Sequence, residues 1–179
     1  MGEYIYVDYS NLFIEAQRIS AVYNGQAENL WEATNTRTID TNYRIDLNQL
    51  YHFLAGVRPK NVRRAVLFGS HFEPTDYLWA LAQKAGFETI IHQRNSANRE
   101  KRVDASMITE LLRDAYTQAD QSDRFRLVTG DGDYIPAVER LVEDGFHVEV
   151  IFWDHASKQL IEACSYFHSM KKHLAHLRL

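Results

Sequence analysis

Short runs rich in β-branched and aromatic residues alternate along the chain with segments whose apolar positions recur at helical spacing. The strand-like runs are Tyr4–Asp8, Val62–Gly69, Phe87–Gln93, Phe125–Gly130 and His147–Trp153. Helical patterns lie between them at Asn11–Ala21, Leu47–Ala55, Thr75–Ala85, Asp104–Ala119 and Tyr134–Glu143. In the fourth of these, Met107, Ile108, Leu111, Leu112 and Ala115 form a one-sided apolar stripe. Gly86 and Gly145 stand where glycines commonly end helices. This alternation predicts an α/β fold with a mainly parallel central sheet of about five strands and helices on both faces.

Two regions depart from the rhythm. Asn24–Tyr43 is polar and aperiodic, with Trp31 and Tyr43 as its large apolar residues, and reads as a lid, a binding loop or a loose insert. The stretch from Ser165 to Leu179 ends in a basic, helix-like pattern containing Lys171, Lys172 and His173. The expected organisation is therefore one domain over 1–164, with 24–43 as a loop insertion, and a basic helical tail over 165–179.

With 179 residues, 45% hydrophobic and 25% charged, the chain can bury a core without disulfide or metal help, and wholesale disorder is excluded. Its one cysteine, Cys164, excludes an intramolecular disulfide and a Cys-based zinc site and fits a reducing compartment. No apolar run approaches the roughly 18 residues that span a bilayer, and Met1–Asp8 leads into a strand pattern rather than a signal peptide. A cytoplasmic location and no membrane partner are expected. The formal charge of −4 argues against coating nucleic acid through overall electrostatics. Local patches survive that argument, and the basic residues are 14 Arg against 6 Lys, the side chain better suited to bidentate phosphate contacts.

In a parallel sheet the carboxyl ends of all strands share one edge, where ligands bind. The first strand ends in Asp8, followed by Ser10 and Asn11; the second leads to Ser70, His71 and Glu73. The third leads through a basic loop to Asp104, the fourth ends in Thr129-Gly130-Asp131-Gly132-Asp133, and the fifth in Asp154 and His155. Like charges gathered this way repel unless something positive sits among them. A hard divalent cation, Mg²⁺ or Mn²⁺, with Asp8, Asp104, Asp131 and Asp133 as ligands directly or through water, would answer that. The chemistry that follows is activation of water for attack on a phosphodiester.

Each acid also has a plainer role. Asp104 suits a helix N-cap, Asp133 a cap on the helix holding Pro136, and Asp131 a turn aspartate. Asp8 fits these roles least, because a carboxylate closing an apolar strand is costly without a partner. The run Arg94–Arg102 is net positive and lands beside the acids, so Arg99, Lys101 and Arg102 are candidate phosphate contacts. Arg58, Lys60, Arg63 and Arg64 precede the second strand, at the opposite edge, and read as a solvated surface. No phosphate-cradling Gly-x-x-x-x-Gly-Lys-Ser/Thr or Gly-x-Gly-x-x-Gly pattern follows a strand.

Three blocks in order resemble the NYN domain of the PIN-like nuclease superfamily: Tyr6-Val7-Asp8-Tyr9-Ser10-Asn11, Lys101-Arg102-Val103-Asp104, and Thr129-Gly130-Asp131-Gly132-Asp133-Tyr134 with Pro136-Ala137-Val138. The resemblance implies a Rossmann-like three-layer α/β/α sandwich and a metal-dependent nuclease acting on RNA. By it Asp8, Asp104, Asp131 and Asp133 become catalytic, metal-site acids. Asn11 orients site or substrate, with Ser10 and Thr129 beside it as candidate substrate contacts. The family commonly has Gly where this chain has Tyr9 and Arg102; Tyr9 would narrow access or stack on a base, and Arg102 would add a phosphate contact.

The leading expectation is an endoribonuclease dependent on Mg²⁺ or Mn²⁺, acting on RNA, with a homodimer as a possible assembly. A second reading is a catalytically idle nucleic-acid-binding or regulatory module. A third, an aspartyl phosphatase, is weakened because Ser10 stands where that chemistry needs a second aspartate.

Overall fold

The computed structural model describes residues 1–71, 76–93 and 99–179. The first strand, β1 (Glu3–Asp8), is buried at every position, as a strand covered by helices on both faces must be. It is followed by α1 (Tyr9–Tyr23), α2 (Leu30–Thr36), α3 (Leu47–Ala55), β2 (Val62–His71), α4 (Asp76–Ala85) and β3 (Glu88–Gln93). The remainder comprises α5 (Arg99–Thr117), β4 (Arg124–Val128), α6 (Ile135–Glu143), β5 (His147–Phe152), α7 (Lys158–Ala163) and β6 (Tyr166–Ser169).

All strand pairings are parallel, in the order β3-β2-β1-β4-β5-β6. The sheet has six strands rather than the five expected. The extra one, β6, falls in the stretch read as a helical tail; a 3₁₀ turn over Lys171–His173 is the helical element there. Chain order reverses between β1 and β4, so the crevice where ligands bind in such sheets lies at the ends of these two strands.

Alternation along β1 distributes its side chains to two apolar cores. Ile5 and Val7 join Leu12, Ala16, Leu50, Leu54, Trp79 and Ala82 under α1, α3 and α4. Tyr4 and Tyr6 join Met107, Leu111, Ala115, Val138, Leu141 and Leu160 under α5, α6 and α7. By the same period of two, Asp8 belongs to the second face, towards α5.

The stretch 24–43 is anchored, not loose. It carries α2, capped by the Asn29 side chain, and Asp40 accepts hydrogen bonds from Ser20 Oγ at 2.6 Å and Asn24 Nδ2 at 3.0 Å. Tyr43 is buried and donates its hydroxyl to the Leu174 carbonyl at 2.7 Å, so it does not stack on a base; Trp31 is exposed. Arg64 is likewise no solvated residue. It bonds Glu88 on β3 at 2.9 Å and, on α5, Glu110 at 2.7 Å and Asp114 at 2.6 Å, while Tyr6 donates to Asp114 at 2.7 Å. These partners hold the Asp114 carboxyl below its usual range against burial, which pushes it up.

Candidate active site

Asp8 sits at the boundary of β1 and α1 because one carboxylate oxygen caps the helix. Its Oδ1 accepts the backbone N–H of Asn11 at 3.1 Å, one of the donors a helix start leaves open. Asp8, which fitted a plainer role least by sequence, is thus the cap of α1, whereas α6, the helix holding Pro136, has no side-chain cap. Its Oδ2 accepts from the Tyr134 hydroxyl at 3.2 Å, and the same hydroxyl lies 3.0 Å from Asp104 Oδ1. Tyr134 is fully buried, in the 3₁₀ turn Gly132–Tyr134 that follows β4.

Asp104 is an interior residue of α5, which starts at Arg99 and not at Asp104 as the pattern predicted. This removes the N-cap reading, and the bond to the buried Tyr134 puts Asp104 on the inward face of α5. Asp131 caps the 3₁₀ turn, its Oδ1 accepting the N–H of Asp133 at 3.0 Å. Asp131 is thus the turn aspartate that its place between two glycines suggested. One carboxylate oxygen from each of Asp104, Asp131 and Asp133 lies within 4.8 Å of the others, with Asp133 exposed. Asp8 joins this trio through Tyr134 rather than as a member of it.

The turn after β4 is tied to the start of α1. Asn11 Oδ1 accepts the Gly130 N–H at 3.0 Å and the Thr129 hydroxyl at 3.4 Å, and Thr129 Oγ1 accepts the Asp131 N–H at 3.3 Å. Thr129 is fully buried, so its hydroxyl serves the turn instead of facing a substrate. Asn11 thus holds the turn after β4 against the start of α1. Ser10 is half-buried beside it. Gly130 is required sterically, since a Cβ there would stand 2.3 Å from the Phe152 ring, whereas a Cβ on Gly132 would meet nothing closer than 3.5 Å.

Burial is the main reason the Asp8 carboxyl is pushed up to about 7, and the neighbouring charges of Asp104 and Asp131 add to it. The bonds from Asn11 and Tyr134 pull the other way. A phenol has one proton to donate, so Tyr134 cannot serve two carboxylates as donor at once. The hydroxyl therefore donates to one of Asp8 and Asp104 at a time. The Tyr134 hydroxyl itself is held well above the usual phenol range, by burial first and then by the charges of Asp8 and Asp104.

Not every acid of the edge joins in. Asp154 accepts from Ser169 and pairs with Lys171 at 3.4 Å, and its carboxyl is lowered first by the Ser169 bond. His155 bonds Glu15 on α1 at 2.7 Å, one helical turn beyond Asn11. Arg102 is exposed on α5, two residues before Asp104. The side chains of His71, Arg99 and Lys101, the residue Glu73, and the segment 94–98 lie outside the described residues. Tyr134 is the residue that reasoning from the acids missed; its only sequence signal was its place directly after Asp133.

The donor set fits a hard divalent cation. The trio offers oxygen ligands alone and keeps an open side at Asp133, which suits ions that retain water.

A parallel six-stranded sheet flanked by helices, with acids gathered at its switch point, fits the Rossmann-like fold of the PIN-like class. The sequence matches the NYN domain over residues 4–171, nearly its whole length, and the chain belongs to that family. The family is generally one of nucleases that use divalent metals. In fold the chain is similar to a protein of unknown function from Vibrio parahaemolyticus, with 20% identity, a TM-score of 0.66, and coverage of 94% of this chain and 92% of that one. No curated protein is similar enough to count as a relative. Among the described residues, no helix is long and apolar enough to cross a membrane.

Proposed function

We propose that the chain is a metal-dependent endoribonuclease hydrolysing RNA phosphodiester bonds. The observation that carries this reading is the convergence of Asp104, Asp131 and Asp133 within 4.8 Å at the crevice between β1 and β4. These three would hold Mg²⁺ or Mn²⁺, with Asp8 completing the acidic set behind them. When bound, the ion supplies an activated water and offsets charge on the phosphoryl oxygens. The chain's own residues supply the frame. Asn11 fixes the turn that carries Asp131 and Asp133, and Tyr134 fixes Asp104 against Asp8. Asp8 holds or releases a proton at Oδ2 near neutral pH, the range useful for acid–base work. Arg102, with Arg99 and Lys101 on the same helix, would hold the phosphate backbone beside the acids.

The test is incubation of a mixed RNA pool with Mn²⁺, Mg²⁺ or EDTA, with Asp131→Asn as control. Cleavage in metal alone, lost in the variant, is the expected result. Mn²⁺ at about 100 times its Kd should also stabilise the wild type by about 2.7 kcal/mol and the variant far less. Asn still caps the turn, so the metal-free variant should be as stable as wild type. RNA binding without cleavage in either metal would identify an idle binding module instead.

A further inference from the structure

Both backbone groups of Gly130, which opens the turn carrying Asp131 and Asp133, are held from outside that turn. Its N–H donates to Asn11 Oδ1 on α1 at 3.0 Å, and its carbonyl accepts from the N–H of Ser157, between β5 and α7, at 2.9 Å. The end of β5 and the 153–157 loop also pack closely on the turn. The Cβ that Gly130 lacks would stand 2.3 Å from the Phe152 ring and 3.3 Å from Ala156 Cα, and one on Gly132 would meet Ser157 Oγ at 3.5 Å. The acid-bearing turn therefore rests on two supports, α1 and the loop after β5.

One side-chain bond ties these supports together. His155 Nε2 lies 2.7 Å from Glu15 Oε2, and Glu15 follows Asn11 by one turn of α1. His155 is two residues before Ser157, and its ring is tilted against Phe152 with centroids 6.1 Å apart. The contacts close a ring, from Gly130 through Asn11, Glu15, His155 and Ser157 back to Gly130. Burial pushes the Glu15 carboxyl up, but the His155 bond and the charge of Arg18 outweigh it and hold the carboxyl below its usual range. Glu15 is therefore a carboxylate at neutral pH and accepts the His155 N–H, a bond stronger than one between neutral groups.

We propose that His155 is a positioning residue of the acidic site: through Glu15 it clamps α1 and the 153–157 loop on Gly130, and so keeps Asp131 and Asp133 within reach of Asp104. The proposal rests on the reading of that trio as a divalent-metal site, and it adds a residue that acts on the site without ligating the ion. Partners behind metal ligands commonly set affinity in this way. Glu15 also bonds Arg18, so losing His155 strands no buried charge, and a His155 variant should fold.

The experiment has two readouts, amide hydrogen exchange in EDTA and Mn²⁺ affinity by calorimetry, for wild type, His155→Ala, His155→Gln and Lys171→Ala. In His155→Ala the Gly130 and Ser157 amides should exchange faster while the amides of β1 keep their protection, and Mn²⁺ affinity should fall about ten-fold. Gln can still donate to Glu15, so His155→Gln should recover most of both. Lys171→Ala breaks the neighbouring pair with Asp154 and should change neither. Mn²⁺ bound equally well by wild type and His155→Ala would overturn the positioning role and leave the metal site intact. Faster exchange spread over the whole sheet, with a lower melting temperature, would make the bond a general support of the fold and also overturn it. Absence of Mn²⁺ binding by wild type would overturn the metal site and the proposal together.

Discussion

Where β2 begins, Arg64 faces Glu88, Glu110 and Asp114, and Arg63 lies 3.6 Å from the buried Asp123. Where β1 and β4 end, Asp8 and Asp131 accept hydrogen bonds from backbone N–H groups and a phenol. No cation pairs with Asp8, Asp131 or Asp133 among the described residues. The first edge is neutralised internally, which makes its charges structural. At the second, among the described residues, Asp8, Asp131 and Asp133 have no side-chain cation beside them, and acids gathered without one favour a positive ligand. Charge alone does not mark a site; charge without internal compensation does.

The largest expected effect comes from breaking the compensated edge. Arg64→Met would leave Asp114, whose side chain is 3% exposed, without its main partner. Loss of one partner of a buried pair costs about 3–5 kcal/mol, readable as a shifted denaturation midpoint. If Arg64→Met is as stable as wild type, the two edges do not differ in the way argued.

The two edges should also answer pH with opposite signs. Asp114 and Asp123 are lowered below the usual carboxylate range, so their contribution is present above about pH 4 and lost as pH falls. Asp8 is raised from 3.8 to about 7, so the folded chain binds its proton more tightly than the unfolded one. Its contribution is greatest below pH 4 and declines as pH rises to 7, by up to about 4 kcal/mol. Thermal melts in EDTA across this range should show the decline in wild type and a flatter profile in Asp8→Asn. A wild type and variant that run parallel would remove Asp8 from the uncompensated edge.

The smallest effect concerns the exposed cation beside the acids. Arg102→Gln should reduce the salt dependence of RNA binding by about one unit of slope and leave folding nearly unchanged. An unchanged slope would return Arg102 to the solvated surface.

Five strands and five helices were legible because each carries a period or a run of β-branched residues. What escaped was short or pinned by distant partners. β6 is four residues with none fully buried, and the lysines after it drew attention to a helix. α7 has six residues and buries only Leu160. The 24–43 stretch lacks a period because single anchors hold it, Asp40 on Ser20 and Tyr43 on Leu174. At the site, strand ends sufficed to place Asp8 and Asp131, since topology alone sends them to one edge. Tyr134 was not legible, because its importance lies in touching Asp8 and Asp104, which are remote in sequence. Arg64 was misread for the same reason: its three acids come from two other elements.

The order β2-β1-β4 at the sheet's centre has a kinetic meaning. β1 pairs on one side with a strand that begins at Arg124, so its second ladder closes only after a long span of chain has been gathered in. The Tyr134–Asp8 bond spans 126 residues. Contacts of such separation form slowly, because loop entropy must be overcome before they contribute. The acidic constellation is therefore a late product of folding, assembled when β4 docks on β1. A stopped-flow trace of Mn²⁺ uptake during refolding should lag the recovery of helical signal, making metal capture a reporter of the last step and not of collapse.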